Sequence, residues 1–293
     1  MGNCKWFMVG LLVVVLAACT GAPATAVPPT PLNNQPSDLL PTPTLQLPPE
    51  PSPTTTTAVP TATPLADTGW QLLQAGLERR SIRVLDENGR QTEQLTLLRL
   101  DPNLFTFAIG YSPGQPKPLA TWQAETEALV VMNGGFFTEE FVATGLIVVD
   151  GVTSGSSYQG FGGMVTMSEG SVAVRSLVER PYQPTETFTH ALQSFPMLVL
   201  NGEPAYQNAD FDAARRTAIG VDADGRILLI LASWGDFTLA EFSSYLASAD
   251  FGLVNVLNLD GGTSTGLILA EPAESIPAFV AVPSVITISP RQN

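Results

Sequence analysis

Three glycine-rich segments carry the residues whose types and spacing could do chemistry. Asn133-Gly134-Gly135-Phe136-Phe137 follows an apolar run at 128–132. Arg215-Arg216-Thr217-Ala218-Ile219-Gly220 opens a second run. Asn258-Leu259-Asp260-Gly261-Gly262-Thr263-Ser264-Thr265-Gly266 closes a third, at 254–259. Polar residues directly after buried strands stand where an open sheet presents ligands. The planar fork of an arginine grips a carboxylate or a phosphate through two parallel hydrogen bonds, and the bland alternative is a surface salt bridge. A carboxylate at the end of a buried strand must be hydrogen-bonded or must change its pKa. Asp260 therefore either faces a substrate or caps its own loop. The pairs Gly134-Gly135 and Gly261-Gly262 allow close backbone approach to a ligand, or simply a sharp turn.

Two other patterns are weaker. Gly262–Gly266 fits G-x-S-x-G, the nucleophile elbow of serine hydrolases, which demands a helix after the serine and a late histidine. Glu271-Pro272 interrupts the following segment, and the sole histidine, His190, lies upstream of Ser264. Other triad orders exist, so a serine hydrolase stays as a minor reading, and it requires His190 within hydrogen-bond reach of Ser264. A lone histidine is otherwise a hydrogen-bonded structural residue. Asp222-Ala223-Asp224-Gly225 starts like a calcium loop, but Arg226 and Ser233 occupy the later ligand positions. It reads as a hairpin turn. One His and two Cys cannot assemble a Cys/His zinc site.

The elements that must position these segments are mostly short strands. Apolar runs end at Asp86–Gly89, Asp150-Gly151, Asn201-Gly202 and Asp222–Gly225, and such turns between apolar runs signal hairpins. Val172–Leu177 alternates as a half-buried strand does, and Val285–Ile288 reads as the last strand. The helix expected over Leu239 to Ala249 has a capping box in Thr238 and Glu241. Strand 227–231, this helix and strand 254–259 predict a parallel β-α-β unit with a right-handed crossover. The fold class is α+β: a mixed, mostly antiparallel β-sheet with covering helices and one β-α-β unit, in a single globular domain over 67–293.

The chain of 293 residues carries a net charge of -14 and is 44% hydrophobic. Lys5, Asp38 and Glu50 are the only charged residues before Asp67, so the acidity belongs to the domain. A strongly acidic surface repels phosphate backbones and argues against nucleic acid as a partner. Residues 1–19 read as an export signal: Lys5, then an apolar run of about 13 residues, too short to span a bilayer. Leu16-Ala17-Ala18-Cys19 resembles the bacterial lipobox, which implies lipidation of Cys19 and removal of Cys4 with the signal. Residues 20–66 are rich in Pro and Thr and read as a disordered, extended linker. The expected placement is exported and membrane-anchored through Cys19, with the domain facing the cell exterior or the periplasm.

Taken together, NGGFF (133–137), GLIVVDG (145–151), Gln193–Gly202, RTAIG (216–220) and NLDGGTS (258–264) resemble the phosphodiester glycosidase family. Thr263 stands where the family has Gly. The resemblance implies hydrolysis of a sugar-1-phosphodiester in extracellular or envelope glycans, the partner being a phosphodiester-linked glycan or polysaccharide. It implies Asp260 as the carboxylate that stabilises or traps an oxocarbenium-like sugar, with Arg216 and Arg215 clamping the phosphodiester. Glu139 or Glu140 is its second carboxylate or general base. Asn133, Gln193, Thr217 and Ser264 belong to substrate binding, Ser264 also orienting Asp260, and Gly134, Gly135, Gly261 and Gly262 allow close approach. No cofactor is assigned with certainty; a divalent cation, Ca or Mg, held by carboxylates is compatible, with no ligands assigned. The competing class is a tethered, non-catalytic glycan-binding or envelope protein.

Overall fold

The computed structural model describes residues 65–291 apart from 169 and 210. The expected signal segment, Cys19 and the linker up to residue 64 lie outside the described residues. In chain order the strands are β1 Gln71–Gln74, β2 Leu77–Leu85, β3 Gln91–Leu100, β4 Phe105–Tyr111, β5 Val130–Asn133 and β6 Ile147–Val149. There follow β7 Val152–Ser154, β8 Gly163–Ser168, β9 Ser171–Ser176, β10 His190–Ser194, β11 Met197–Leu200 and β12 Glu203–Pro204. The last are β13 Arg216–Asp222, β14 Ile227–Ala232, β15 Leu253–Asn258, β16 Leu267–Leu269, β17 Glu274–Ile276 and β18 Ser284–Pro290. Two α-helices are present among the described residues, α1 Leu119–Thr126 and α2 Leu239–Ser248.

The strands form an eight-stranded sheet, β1-β2-β3-β14-β13-β15-β11-β12, and two five-stranded sheets, β7-β6-β10-β8-β9 and β17-β16-β5-β18-β4. Every pairing between named strands is antiparallel. β14 shows why the large sheet is central. All six of its residues are buried, with Ile227, Leu229 and Leu231 in one cluster and Leu228, Ile230 and Ala232 in another. The first cluster joins the three sheets: Ile219 and Leu257 meet Met132 and Ile286 from one small sheet and Val165 and Leu192 from the other. The second lies under α2, which contributes Phe242 and Leu246. α1 covers the remaining face of β5 and β18 with Leu119 and Trp122, and the Trp122 indole donates to Val282 O at 3.1 Å.

The helix α2 starts with the expected capping box. Thr238 Oγ1 accepts from Glu241 N at 3.2 Å, and Glu241 Oε2 accepts from Thr238 N at 2.9 Å. The β-α-β expectation needs correction. β14 and β15 do run parallel with α2 between them, but each pairs antiparallel with β13, which is inserted between them. The β13–β14 hairpin is local in the chain and occupies the edge that β15 would otherwise have used. The sheets are thus antiparallel throughout, with a split crossover over one of them, and two helices rather than a covering layer.

Candidate active site

The ends of β5, β13 and β15 are knitted together by one amide. Asn133, at the end of β5, is completely buried. Its Oδ1 accepts from Thr217 Oγ1 at 2.9 Å and from Gly266 N at 3.1 Å. Its Nδ2 donates to Asp260 O at 2.7 Å and to Gly134 O at 3.4 Å. Thr265 Oγ1 lies 3.1 Å from the Thr217 hydroxyl. An amide has two donor hydrogens and two acceptor lone pairs, and here all are used inside the protein. Asn133 and the buried Thr217 therefore hold the Asp260 loop in place.

The loop itself is built on close backbone contact. Asp260 N donates to Gly134 O at 3.1 Å, and Gly134 N donates to Ser284 O at 2.9 Å. A Cβ on Gly134 would lie 3.0 Å from the Ser284 backbone. Leu259 N still follows the ladder to Thr217 O at 2.8 Å, but Gly262 N, not Gly261 N, bonds Arg215 O at 2.8 Å. One extra residue has been accommodated, as in a β-bulge. A Cβ on Gly261 would lie 2.8 Å from Arg215 O and 3.9 Å from Arg216 Cα, so Asp260-Gly261 is seated directly against Arg215-Arg216.

Asp260 is half-buried. Burial pushes its carboxyl up to about 6, while the Ser264 hydroxyl and the Gly261 amide, 2.9 Å from Oδ1, pull the other way. Ser264 is itself buried and lies on a short 3-10 turn, Gly262–Ser264. Its hydroxyl is thus spent on Asp260.

The two arginines take different partners on the two sides of the strand. Arg216 is half-buried, with Nε donating to Phe237 O at 3.0 Å and Nη2 donating to Asp212 O. Arg215 is only 9% exposed. Its Nε donates to Ser233 O at 2.9 Å, and Nη1 and Nη2 both donate to Pro277 O at 3.1 Å. The Phe279 ring lies under its guanidinium at 4.5 Å. Phe279 N in turn donates to Thr263 O at 2.7 Å, which places this cation beside the Asp260 loop. Burial lowers the Arg215 pKa and the charge of Glu93 opposes that. Three of its five N–H groups meet neutral carbonyls.

Residues 126–289 match the family model described as phosphodiester glycosidase. The chain belongs to the phosphodiester glycosidase family. The fold recurs in the catalytic domain of zebrafish N-acetylglucosamine-1-phosphodiester alpha-N-acetylglucosaminidase, auto-inhibited by its pro-peptide. That match has a TM-score of 0.59 at 17% identity and covers 79% of this chain and 86% of that one. It recurs in a hypothetical protein from Synechocystis with a TM-score of 0.53 at 17% identity, covering 74% of this chain. The chain spans 62% of the Synechocystis protein. No curated protein matches the chain in sequence.

The other residues expected at a phosphodiester glycosidase site are placed as follows. Gln193 is buried, with Oε1 accepting from Tyr158 N at 2.9 Å and Nε2 donating to Ser157 Oγ at 2.9 Å. It anchors the segment 155–162. Gly135 abuts Gln193, where a Cβ would lie 3.1 Å from Gln193 O. Glu139 and Glu140 are exposed at the tip of a tight turn closed by Thr138 N to Val142 O at 2.8 Å. The Thr138 hydroxyl lowers the Glu140 pKa. Among the described residues no hydrogen bond brings either glutamate to Asp260. His190 sits at the far end of β10 with Asp150 Oδ1 3.5 Å from Nε2, so it makes no triad with Ser264. Among the described residues no three His, Cys, Asp or Glu side chains are grouped as a metal ion needs. The expected Ca or Mg finds no such ligand group among the described residues.

Two features of the site escape the sequence patterns. Glu93, on β3, is completely buried and accepts from the successive amides of Trp234, Gly235 and Asp236 at 2.6, 2.9 and 2.9 Å. It fixes the loop whose Ser233 and Phe237 carbonyls hold Arg215 and Arg216. A solitary glutamate in a strand carries no signal of this kind. The second is an aromatic cluster. Phe195 stacks on Phe136 at 4.6 Å and meets Tyr158 edge-on at 5.5 Å, with Phe161 at 5.6 Å left 46% exposed. The Tyr158 hydroxyl lies 2.6 Å from Thr144 Oγ1. The Gly160-Phe161-Gly162-Gly163 run was the available clue.

Proposed function

We propose that the chain hydrolyses sugar-1-phosphodiesters, adding water across the bond between the anomeric carbon and the phosphate oxygen to give a free sugar and a phosphomonoester. The observation that carries this reading is the seating of Asp260-Gly261 against Arg215-Arg216. A half-desolvated carboxylate, still mostly ionised at neutral pH, stabilises the positive charge that develops on the sugar ring. The Arg215 guanidinium, stacked on Phe279 beside the same loop, holds the anionic phosphodiester in this reading. Arg215 suits that role best, because two of its N–H groups have no carbonyl partner and the described residues give it no ion pair. Phosphate is already a good leaving group, so a strong general acid is not demanded. That fits a site where no hydrogen bond among the described residues joins Glu139 or Glu140 to Asp260. Ser264 orients Asp260, and Asn133 and Thr217 fix its loop.

The proposed setting is extracellular or envelope glycan, with the domain exported and tethered through a lipid on Cys19 by the Pro/Thr-rich linker. Loss of labelled fatty acid in a Cys19→Ser chain tests the tether. The decisive experiment incubates the protein with a panel of sugar-1-phosphodiesters and measures released reducing sugar. Release by wild type, lost in Asp260→Asn and reduced at least about 100-fold in Arg215→Ala, is expected; one charge-assisted bidentate contact supports a loss of that size. Glycan binding without release from any panel member, in the presence of added divalent metal, would assign the protein to tethered glycan-binding proteins instead.

A further inference from the structure

Strand order places the aromatic cluster beside Asp260. In the large sheet β15, which ends at Asn258, lies between β13 and β11. Ala218 of β13 pairs with Asn258, and Met197 of β11 pairs with Leu257. Past the end of β15, Asp260 therefore has Arg215-Arg216 on one flank and Phe195-Pro196, which lead into β11, on the other. Asn258 fixes the second flank: its N donates to Pro196 O at 3.0 Å and its Nδ2 to Phe195 O at 2.9 Å. The two flanking strands run roughly 10 Å apart, the scale of a pyranose with its phosphate. With the phosphate on Arg215 and the anomeric carbon at Asp260, the sugar ring extends over the Phe195 flank.

A flat and firmly held wall stands there. Phe136, two residues after the Gly134 carbonyl that accepts from Asp260 N, stacks on Phe195. Tyr158 and Phe161 complete the wall, their ring centroids 4.8 Å apart. Both belong to the segment 155–162, which is clamped at its two ends and in its middle. A Cβ on Gly155 would lie 2.6 Å from Gly145 O and one on Gly162 2.7 Å from Ser194 O, and both glycines have positive φ, 76° and 77°. Between them the Gln193 amide holds Tyr158 N and Ser157 Oγ. The Tyr158 ring lies against Gly145, where a Cβ would be 2.8 Å from Cζ. Its hydroxyl meets Thr144 Oγ1, which itself donates to Phe136 O at 3.2 Å. Tyr158 is thus the donor of the pair, and the oxygen of the exposed Thr144 keeps a lone pair. Single exposed apolar side chains need no explanation. The exposed Phe161 differs, because it tops three rings tied to the Asp260 loop and stands beside a hydroxyl acceptor.

One face of a pyranose is made of C–H groups, while its margin carries hydroxyls. A flat aromatic surface with an acceptor at its edge fits such a ring better than it fits an acyl chain, which has no use for the acceptor. We propose that the segment 155–162 is the recognition loop for the glycosyl unit: Phe161 takes the C–H face of the sugar, and Thr144, oriented by Tyr158, accepts from one of its hydroxyls. The side of Asp260 on which the sugar lies rests on the function proposed above. Because the loop is clamped before any ligand arrives, little ordering is lost on binding.

The test is calorimetric titration of the full-length protein carrying Asp260→Asn, so that no probe is consumed. The probes are a hexose 1-phosphate, inorganic phosphate, glycerol phosphate and octyl phosphate. Hexose 1-phosphate is expected to bind at least about tenfold more tightly than inorganic phosphate or glycerol phosphate, which lack a ring face. Phe161→Leu still caps the cluster but offers no flat ring, and should cut that preference below about threefold, with Phe161→Tyr restoring it. Thr144→Val should weaken hexose 1-phosphate about three- to tenfold, the size of one hydrogen bond, and it decides the matter should Phe161→Leu fold poorly. Hexose 1-phosphate bound no better than inorganic phosphate, or a preference untouched by both Phe161→Leu and Thr144→Val, overturns the proposal. Octyl phosphate bound more tightly than hexose 1-phosphate assigns the wall to an apolar chain and overturns it too. The two readings fail separately: release of reducing sugar without this preference sinks the recognition loop alone, and the preference without release sinks hydrolysis alone. Where release is found, Phe161→Leu should raise KM more than it lowers kcat.

Discussion

Asp260 carries a cost that its neighbours do not remove. Its folded pKa, pushed up to about 6, exceeds the ordinary 3.8 because burial disfavours the charged form more than Ser264 and Gly261 favour it. The sign of the stability effect follows. As pH rises from about 4 to about 6 the unfolded chain gives up the proton first, so the folded state loses stability across that window and regains it only on acidification. Asp260→Asn should therefore stabilise the protein at pH 8 by on the order of 2 kcal/mol and change little at pH 4, while abolishing hydrolysis. Urea midpoints at the two pH values check this; a loss of stability at pH 8 would mean that Asp260 is only a loop cap. The same titration predicts that kcat/KM falls as pH drops through about 6, because the ionised carboxylate is the working form. Asn133 is the opposite case. Asn133→Ala strands the Thr217 hydroxyl, the Gly266 amide and the Asp260 carbonyl, and buried orphans of this kind cost about 2–4 kcal/mol together. Both thermal stability and kcat should fall, with KM moving less, since all four of its hydrogen bonds are made inside the protein.

At the scale of elements, the loop between β14 and α2 is the part to perturb. Three consecutive amides converge on Glu93, and the carbonyls on either side of them hold the two arginines. Glu93→Gln replaces one acceptor oxygen by a donor facing N–H groups, which should cost about 2–3 kcal/mol and depress turnover through both arginines. Thr238→Ala removes the cap of α2 one residue further on and should cost about 1 kcal/mol with turnover nearly intact. Equal effects of the two on turnover would show that the loop tolerates movement and that Glu93 is merely structural. These elements also show what a sequence can disclose. The β13–β14 hairpin and the capping box of α2 are local, readable from Asp222–Gly225 and from the Thr238/Glu241 spacing. The insertion of β13 between β14 and β15 depends on which strands pair across the sheet, and neighbouring residues do not encode that. α1 buries only Leu119 and Trp122 and has no side-chain cap, so no helical pattern announces it. At the site, Asp260, Arg215 and Arg216 stand out by residue type. The work of Asn133 and Glu93 does not, because the partners they tie to the site lie 84 to 143 residues away.

The whole molecule sets its own condition on the reaction. The net charge is -14, and nearly all of it surrounds a site proposed to receive an anion. Two effects oppose each other. Arg215 and its neighbour attract the phosphodiester at contact, in a partly desolvated place where salt screens little. The acidic surface repels the approaching polymer over tens of ångströms, where salt screens strongly: the Debye length shrinks from about 30 Å at 0.01 M to about 8 Å at 0.15 M. For a substrate bearing one phosphate the long-range term is small. For a polymer bearing many it grows with each charge near the surface, and it outweighs the single contact at low salt. Raising ionic strength over that range should then increase kcat/KM about 3- to 10-fold for a polymeric phosphodiester and leave a single-unit substrate nearly unchanged. Steady-state kinetics on both substrates in the same buffers separate the terms. A fall in kcat/KM with salt for the polymer would mean that attraction at Arg215 and Arg216 reaches further than the acidic surface repels.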